Sequence, residues 1–289
     1  MLTTENVPAV LSGFDVPLRH DLILSVVIPV YNERDTLPRI LRAVMLAVPE
    51  VRKEIIVVDD GSKDGTREWL AEVFPSSEIL IKAVSRSAGG LIEFHTSEEE
   101  PAKPATTRET LVHPIAIKPV LQEKNGGKGR ALRTGFRMAT GDVIVIQDAD
   151  LEYDPSDWTL MIRLMELGVA DVVYGSRFYG RPHRSLYMYH MLGNKIITYL
   201  FNLLFDQTLT DIETCYKMFR RLVLEGVDLI SDDFGIEVEL SARLAGSKKW
   251  RVYETGITYY GRTYLEGKKI GWRDGLKALW YVIKFRLSK

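Results

Sequence analysis

Asp142-Val143-Ile144-Val145-Ile146 is a short apolar, β-branched run, and Gln147-Asp148-Ala149-Asp150-Leu151-Glu152-Tyr153-Asp154-Pro155 follows it without a break. The run predicts a buried strand, so a sheet hands over directly to a cluster of carboxylates. Close like charges repel and raise one another's pKa, and a bound divalent cation removes that cost. Asp148 and Asp150 straddle one residue, which on extended backbone puts both side chains on one face. Carboxylate oxygens suit Mg²⁺ or Mn²⁺ better than zinc, so Asp148 and Asp150 are expected to hold such an ion. Asp154-Pro155-Ser156 has the chemistry of a helix start, with Asp154 as the cap.

Two upstream segments end in the same way. Residues 22–29 form a continuous apolar run closed by Pro29, and Tyr31-Asn32-Glu33 leads into an amphipathic helix opening at Thr36-Leu37-Pro38. Glu54-Ile55-Ile56-Val57-Val58-Asp59-Asp60 is a second buried strand ending in carboxylates, followed by turn residues 61–66 and a helix to Phe74. Apolar strands alternating with helices predict parallel βαβ units. Ligands of such sheets sit outside the carboxyl ends of the strands, so residues 29–33, 59–65 and 148–152 are expected to converge on one edge.

Residues 118–122 read as another strand, and Lys124-Asn125-Gly126-Gly127-Lys128-Gly129-Arg130 opens a helix to Met138. This glycine-rich segment lacks the spacing of a Walker A loop and has Leu132 where a dinucleotide fingerprint has its last glycine. At a helix N-terminus its amides and Lys128 are expected to face an anion. Residues 85–114 break the pattern with Gly, Pro and charge, and read as a polar insertion, either a mobile flap or disordered.

The 289 residues suffice for one large α/β domain with additions, and 46% hydrophobic with 27% charged residues is ordinary globular composition. A formal net charge of −1 gives no support to nucleic-acid binding. Cys215 is the single cysteine, which excludes an internal disulfide and any multi-cysteine zinc site. Residues 196–205, the longest strongly apolar stretch, fall short of the roughly 20 needed to span a bilayer. The expectation is a cytoplasmic protein, soluble or peripherally attached to a membrane.

Taken in order, Val27-Ile28-Pro29-Val30-Tyr31-Asn32-Glu33, Val58-Asp59-Asp60-Gly61-Ser62 with Asp64-Gly65-Thr66, Asn125 with Gly127-Lys128-Gly129, Asp148-Ala149-Asp150-Leu151-Glu152, and Gly175-Ser176-Arg177 carry a resemblance. The chain resembles inverting family-2 glycosyltransferases, and among them the dolichyl- or polyprenyl-phosphate mannose and glucose synthases. The resemblance runs from about residue 24 to the C-terminus. Residues 85–114 stand outside its pattern, and Glu152 stands where that group often carries Gln. It implies the nucleotide-diphospho-sugar (GT-A type) fold, a Rossmann-like, mostly parallel α/β sheet with helices on both faces. Three parts are expected: an N-terminal arm (1–21), a catalytic domain (22–225) and an acceptor or membrane-interface region (226–289) with amphipathic helix. The resemblance further implies that Pro29, Tyr31 and Glu33 line the base and ribose pocket. Asp59 or Asp60 would accept a hydrogen bond from the base, and Glu152 would join Asp148 and Asp150 on Mg²⁺ or Mn²⁺ at the diphosphate.

Residues 171–177 predict a further strand that exposes Arg177, with Arg181, His183, Arg184 and Lys195 close behind. Beside an acidic metal site, arginines that pair bidentately with phosphate oxygens are expected to grip a phosphate, which assigns Arg177 and Arg184 to the acceptor. Residues 192–205 are apolar except for a stripe of Asn194, Thr198 and Asn202, and read equally as a core helix or as a face toward lipid or a partner. Trp272, Leu276, Leu279, Trp280, Ile283 and Leu287 recur at helical spacing among Arg273, Lys277 and Lys284, which suits a membrane interface. The resemblance adds Arg262 and Lys269 as contacts to substrate phosphates.

These readings together predict a metal-dependent transferase moving a hexose from GDP-mannose or UDP-glucose to dolichyl or polyprenyl phosphate at the membrane face. A lipid phosphate is already anionic and needs no general base. A soluble hydroxyl acceptor would need one, with Asp211, Glu213, Asp232 and Asp233 as candidates. A nucleotide-sugar-binding subunit without turnover is the third reading.

Overall fold

The computed structural model describes residues 22–87, 89–97, 107–185, 187–263, 266 and 271–288. The expected N-terminal arm (1–21) therefore lies outside the described residues. Strands β1 (Ile23–Val30), β2 (Arg52–Asp59), β3 (Ile79–Arg86), β4 (Ile92–His95), β5 (Thr107–Leu121), β6 (Val143–Ile146), β7 (Val172–Ser176), β8 (Lys217–Arg220) and β9 (Val252–Gly256) form one sheet. Its order is β4-β3-β5-β2-β1-β6-β8-β7-β9. β5, β2, β1 and β6 are parallel neighbours. β3 and β8 run against theirs, and β9 lies parallel to β7. All strands but β3 and β8 thus share one direction, which is the mostly parallel sheet expected.

The central strands are continuous apolar runs because both their faces are covered. Val26, Val27, Ile28, residues 55–58 and residues 144–146 are all fully buried. Helices α1 (Leu37–Leu46), α2 (Thr66–Val73), α3 (Lys128–Met138), α4 (Trp158–Glu166), α5 (Met188–Phe205), α6 (Gly235–Leu244) and α7 (Trp272–Leu287) supply that cover. α3 lies so close to β1 that a Cβ on Gly135 would come within 2.3 Å of Val27 Cγ1. Asp154 takes the capping role expected of it, accepting from Ser156 N at 2.9 Å.

At the amino ends of the strands, buried Glu54 ties four segments together. It accepts from Ser25 Oγ at 2.5 Å, Lys118 Nζ at 2.6 Å, and Thr140 N and Gly141 N at 2.6 and 3.1 Å. Burial opposes its charge, but these donors outweigh it and hold the carboxyl down at about 2.

Two stretches differ from their expected form. Residues 85–97 and 107–114, expected as flap or disorder, contain the end of β3, all of β4 and the first half of β5. β3 pairs with both strands, so the polar residues are those of a sheet edge facing water. In α5 the polar stripe points inward. Thr198 is buried and accepts from Ile212 N, and Asn202 bonds both main-chain groups of Leu209. Ile197, Phe201 and Phe205 are buried with Thr198, while Met188, Tyr189, Ile196, Tyr199 and Leu203 are between 50 and 86% exposed, so a second apolar side faces out. α7 packs on α5 through residues that include Arg286, which lies 5.9 Å from the Phe205 ring. It also leaves Leu276, Trp280, Ile283 and Leu287 exposed. No helix among the described residues is long and apolar enough to cross a membrane.

Candidate active site

β2, β1 and β6 lie side by side and end at one edge, which brings residues 29–33, 59–65 and 148–152 together as expected. The carboxylates there are held in two different ways. Buried Asp59 accepts from the main-chain N–H of Gly61 and Ser62 and from Arg67 Nη1. Asp60 accepts from Gly126 N at 2.8 Å and Gly127 N at 2.7 Å. Sequence assigned one of this pair to the nucleotide base. In the structure both accept from main-chain amides, Asp59 closing its own turn and also meeting Arg67, Asp60 anchoring the glycine-rich loop.

That loop also has a role other than the one expected. Gly129 N and Arg130 N, the first amides of α3, both donate to Asp232 O, so they do not face an anion. Gly127 has φ +91°, and a Cβ there would sit 2.4 Å from Asp232 O. The glycines permit this close approach of two chain segments.

Lys128 does reach the carboxylates. Its Nζ lies 2.8 Å from Asp148 Oδ1 and 3.0 Å from Glu237 Oε1, and Glu237 Oε2 meets fully buried Lys217 at 2.5 Å. Asp150 Oδ2 is 2.9 Å from Arg262 Nη2, which is also 3.5 Å from Glu33 Oε1. Arg262 was expected to contact substrate phosphate; here it lies inside the acidic cluster as a counter-ion. Glu152 was expected to bind metal. Its Oε2 accepts from Tyr259 Oη and its Oε1 from Arg262 N, both at 2.8 Å, so it positions those two residues. Pro29 and Tyr31 are half-buried at the same edge. Lys269 lies outside the described residues.

The cluster carries surplus negative charge: Glu33, Asp148, Asp150, Glu152 and Glu237 face Lys128, Lys217 and Arg262. Burial and the neighbouring Asp148 and Glu152 push Asp150 up to about 7, against the pull of Arg262. Among the described residues no three His, Cys, Asp or Glu side chains form a ready-made metal cage. Mg²⁺ needs only one or two carboxylates when substrate phosphates complete its shell, and Asp148 with Asp150 are hard oxygen donors of that kind.

The second half of the site lies past β7. Arg177 forms a fork on buried Asp211, with Nε at 2.7 Å from Oδ2 and Nη2 at 2.8 Å from Oδ1. Its guanidinium lies 5.3 Å from the Tyr259 ring, so Tyr259 joins this half to Glu152 and the acidic cluster. Arg184, expected beside it, bonds Glu266 at 2.8 Å and Gly261 O at 3.1 Å and is largely exposed. Of the four candidate bases, Asp211 is consumed by Arg177. Asp232 pairs with Arg133 at 2.5 Å, and Asp233 accepts from Gly235 N at the start of α6. Glu213 remains.

Glu237, Lys217, Tyr259 and Asn194 are site residues that sequence reasoning missed. Glu237 follows the Asp232-Asp233 pair by a few residues and Tyr259 precedes Arg262, but no spacing marks either. Asn194 sits in the polar stripe of α5, which was the one available signal.

The model of a family described as glycosyl transferase family 2 matches residues 25–92 and 100–227. The chain is 29% identical over 251 residues to a dolichol-phosphate mannosyltransferase of Pyrococcus furiosus, covering 86% of this chain and 60% of that protein. It is 30% identical over 206 residues to an undecaprenyl-phosphate 4-deoxy-4-formamido-L-arabinose transferase of Photorhabdus laumondii, covering 71% and 51%. A third relative, an undecaprenyl-phosphate mannosyltransferase of Micrococcus luteus, is 30% identical over 283 residues, with 91% and 98% covered. The match thus spans only 51% to 60% of the first two relatives, but nearly all of the third. In fold the chain is similar to glucosyl-3-phosphoglycerate synthase of Mycobacterium tuberculosis, solved with Mn²⁺, UDP and phosphoglyceric acid. The TM-score is 0.59 at 16% identity, over 93% of this chain and 78% of that one.

Proposed function

The chain belongs to glycosyl transferase family 2, and we propose that it transfers a hexose from GDP-mannose or UDP-glucose to a polyprenyl or dolichyl phosphate, working at a membrane surface. The observation that carries this reading is the adjacency of two half-sites. One is a carboxylate edge whose counter-ions are side chains; the other is a buried arginine under a helix with an apolar side that faces out. The polyprenyl- and dolichol-phosphate acceptors in the relatives' names support the same class.

Asp148 and Asp150 would hold Mg²⁺ or Mn²⁺, which when bound supplies Lewis-acid stabilisation to the departing nucleoside diphosphate. The Mn²⁺ in the structurally similar synthase supports a divalent ion. Lys128 and Arg262 pair with these carboxylates, and both cations exchange partners from Asp to phosphate as the donor enters. Arg177, with its Nη1 outside the Asp211 fork, binds the acceptor phosphate and stabilises it during in-line attack. The exposed tyrosines, leucines and tryptophan of α5 and α7, with Lys195, Lys284 and Arg286 among them, suit peripheral attachment to lipid.

Release of nucleoside diphosphate from GDP-mannose and UDP-glucose with Mn²⁺, with and without a short polyprenyl phosphate, tests the reading. Lipid-dependent release is expected. Release indifferent to the lipid supports a second reading, a soluble hydroxyl acceptor with Glu213 as base, which the lack of an ion-pair partner for that carboxylate among the described residues favours. No release under any condition overturns both.

A further inference from the structure

Glu213 sits between the two half-sites. Its carboxylate lies within the electrostatic reach of Arg177 and Asp211 and of Lys217 and Glu237. Each of those cations already has a carboxylate of its own. Arg177 is forked on Asp211, and Lys217 is 2.5 Å from Glu237. Glu213 is the third carboxylate for two cations, half-buried, with no cation within ion-pair distance among the described residues. Asn194 of α5 completes its surroundings. One terminal atom of the Asn194 amide is 2.6 Å from Glu213 Oε2 and the other 3.2 Å from Arg177 Nη2. With the amide nitrogen turned to the carboxyl, both contacts are hydrogen bonds. Asn194 thereby fixes Glu213 beside the guanidinium assigned to the acceptor phosphate.

We propose that Glu213 binds the acceptor phosphate as a neutral carboxylic acid, donating its proton in a hydrogen bond to a phosphate oxygen, so that acceptor binding takes up a proton. This rests on the phosphate-acceptor reading above. An ionised Glu213 would repel a dianionic phosphate monoester, whereas the neutral acid adds a donor beside Arg177. Burial, Asp211 and Glu237 raise the Glu213 carboxyl to about 7 against Arg177 and Lys217. A dianion arriving next to it raises it further. A carboxyl kept neutral to serve as a donor is an established device for holding anionic oxygen. The groups that set its charge are Arg177 after β7, Asp211 before β8, Lys217 on β8 and Glu237 on α6, with Asn194 on α5 as its neutral partner.

The test is calorimetric titration of the full chain with geranyl phosphate, in buffers of different ionisation heat, between about pH 7.5 and about pH 8.5. This range lies above the second ionisation of a phosphate monoester, about 6, so the ligand itself contributes no proton change. The wild-type chain is expected to take up close to one proton per phosphate bound, and its Kd to rise up to about tenfold across the range. Glu213→Gln, a permanent neutral donor of the same shape, is expected to bind with no proton uptake and with a Kd independent of pH. Wild-type binding without proton uptake overturns the inference and leaves the phosphate-acceptor reading intact, and it needs no variant to be seen. Absence of geranyl phosphate binding by both chains overturns that reading and the inference with it. Proton uptake that persists in Glu213→Gln assigns the proton to another group and overturns the inference alone.

Discussion

The ends of β2 and β6 carry the same chemistry and treat it differently. Asp59 and Asp60 are satisfied by main-chain N–H groups of residues 61, 62, 126 and 127. Asp148 and Asp150 take their counter-charges from Lys128 and Arg262, at the tips of long side chains, and Asp150 Oδ1 also accepts from Glu152 N at 3.1 Å. A main-chain amide cannot leave without moving the chain. An ammonium or guanidinium can rotate away and hand its carboxylate to another cation. The first pair is therefore architecture and the second is exchangeable, and exchangeable counter-ions mark where a charged substrate can enter.

The largest effect should come from the exchangeable pair. Asp150→Ala is expected to lower Mn²⁺-dependent nucleoside diphosphate release roughly 10²–10³-fold with little change in melting temperature. Turnover within a factor of two of wild type would erase the distinction between the strand ends. Asp60→Ala should do the reverse. It leaves two main-chain N–H groups without an acceptor, at a cost of about 2 kcal/mol, read as a fall in the denaturation midpoint. An unchanged midpoint with weakened nucleotide binding would return Asp60 to the base pocket. Arg262→Ala removes one counter-ion from the cluster, so Mn²⁺ binding without nucleotide should tighten about tenfold, as measured by paramagnetic resonance of the free ion. Weaker binding would show that Arg262 organises the carboxylates.

Glu213 sharpens the contrast, because it has neither kind of partner. Its folded pKa of about 7 lies above the ordinary glutamate value. The linked stability is present in full below pH 4, declines as pH rises, and is gone once pH passes 7. Glu213→Gln should therefore stabilise the chain by about 3 kcal/mol at pH 8.5 relative to pH 4, seen in paired denaturation curves. Parallel curves at the two pH values would mean that Glu213 is ionised and compensated in the fold.

The strand ends were legible because a buried strand and the acidic residues that follow it are local signals. Residues 142–150 announce both within nine positions. The partners were illegible because they arrive from far along the chain. Glu237 meets Lys128 from 109 residues away and Arg262 meets Asp150 from 112. The glycine-rich loop misled for a related reason. Gly127 and Gly129 fit the chemistry of an anion cradle, but what fills the space beside them is the carbonyl of Asp232. In α5 the periodicity located the polar stripe correctly, yet periodicity alone does not say which side of a helix faces the core. That is settled by Ile212 N and the main-chain groups of Leu209, which need the stripe as their partners.

Glu54, at the opposite edge of the sheet, bears on the order in which this molecule fails. Its charge persists down to about pH 2, and with it the knot that joins β1, β2, β5 and the turn before β6. The foot of the sheet should therefore stay tied through an excursion into mild acid, and neutralisation should return the chain to its starting state without a refolding delay.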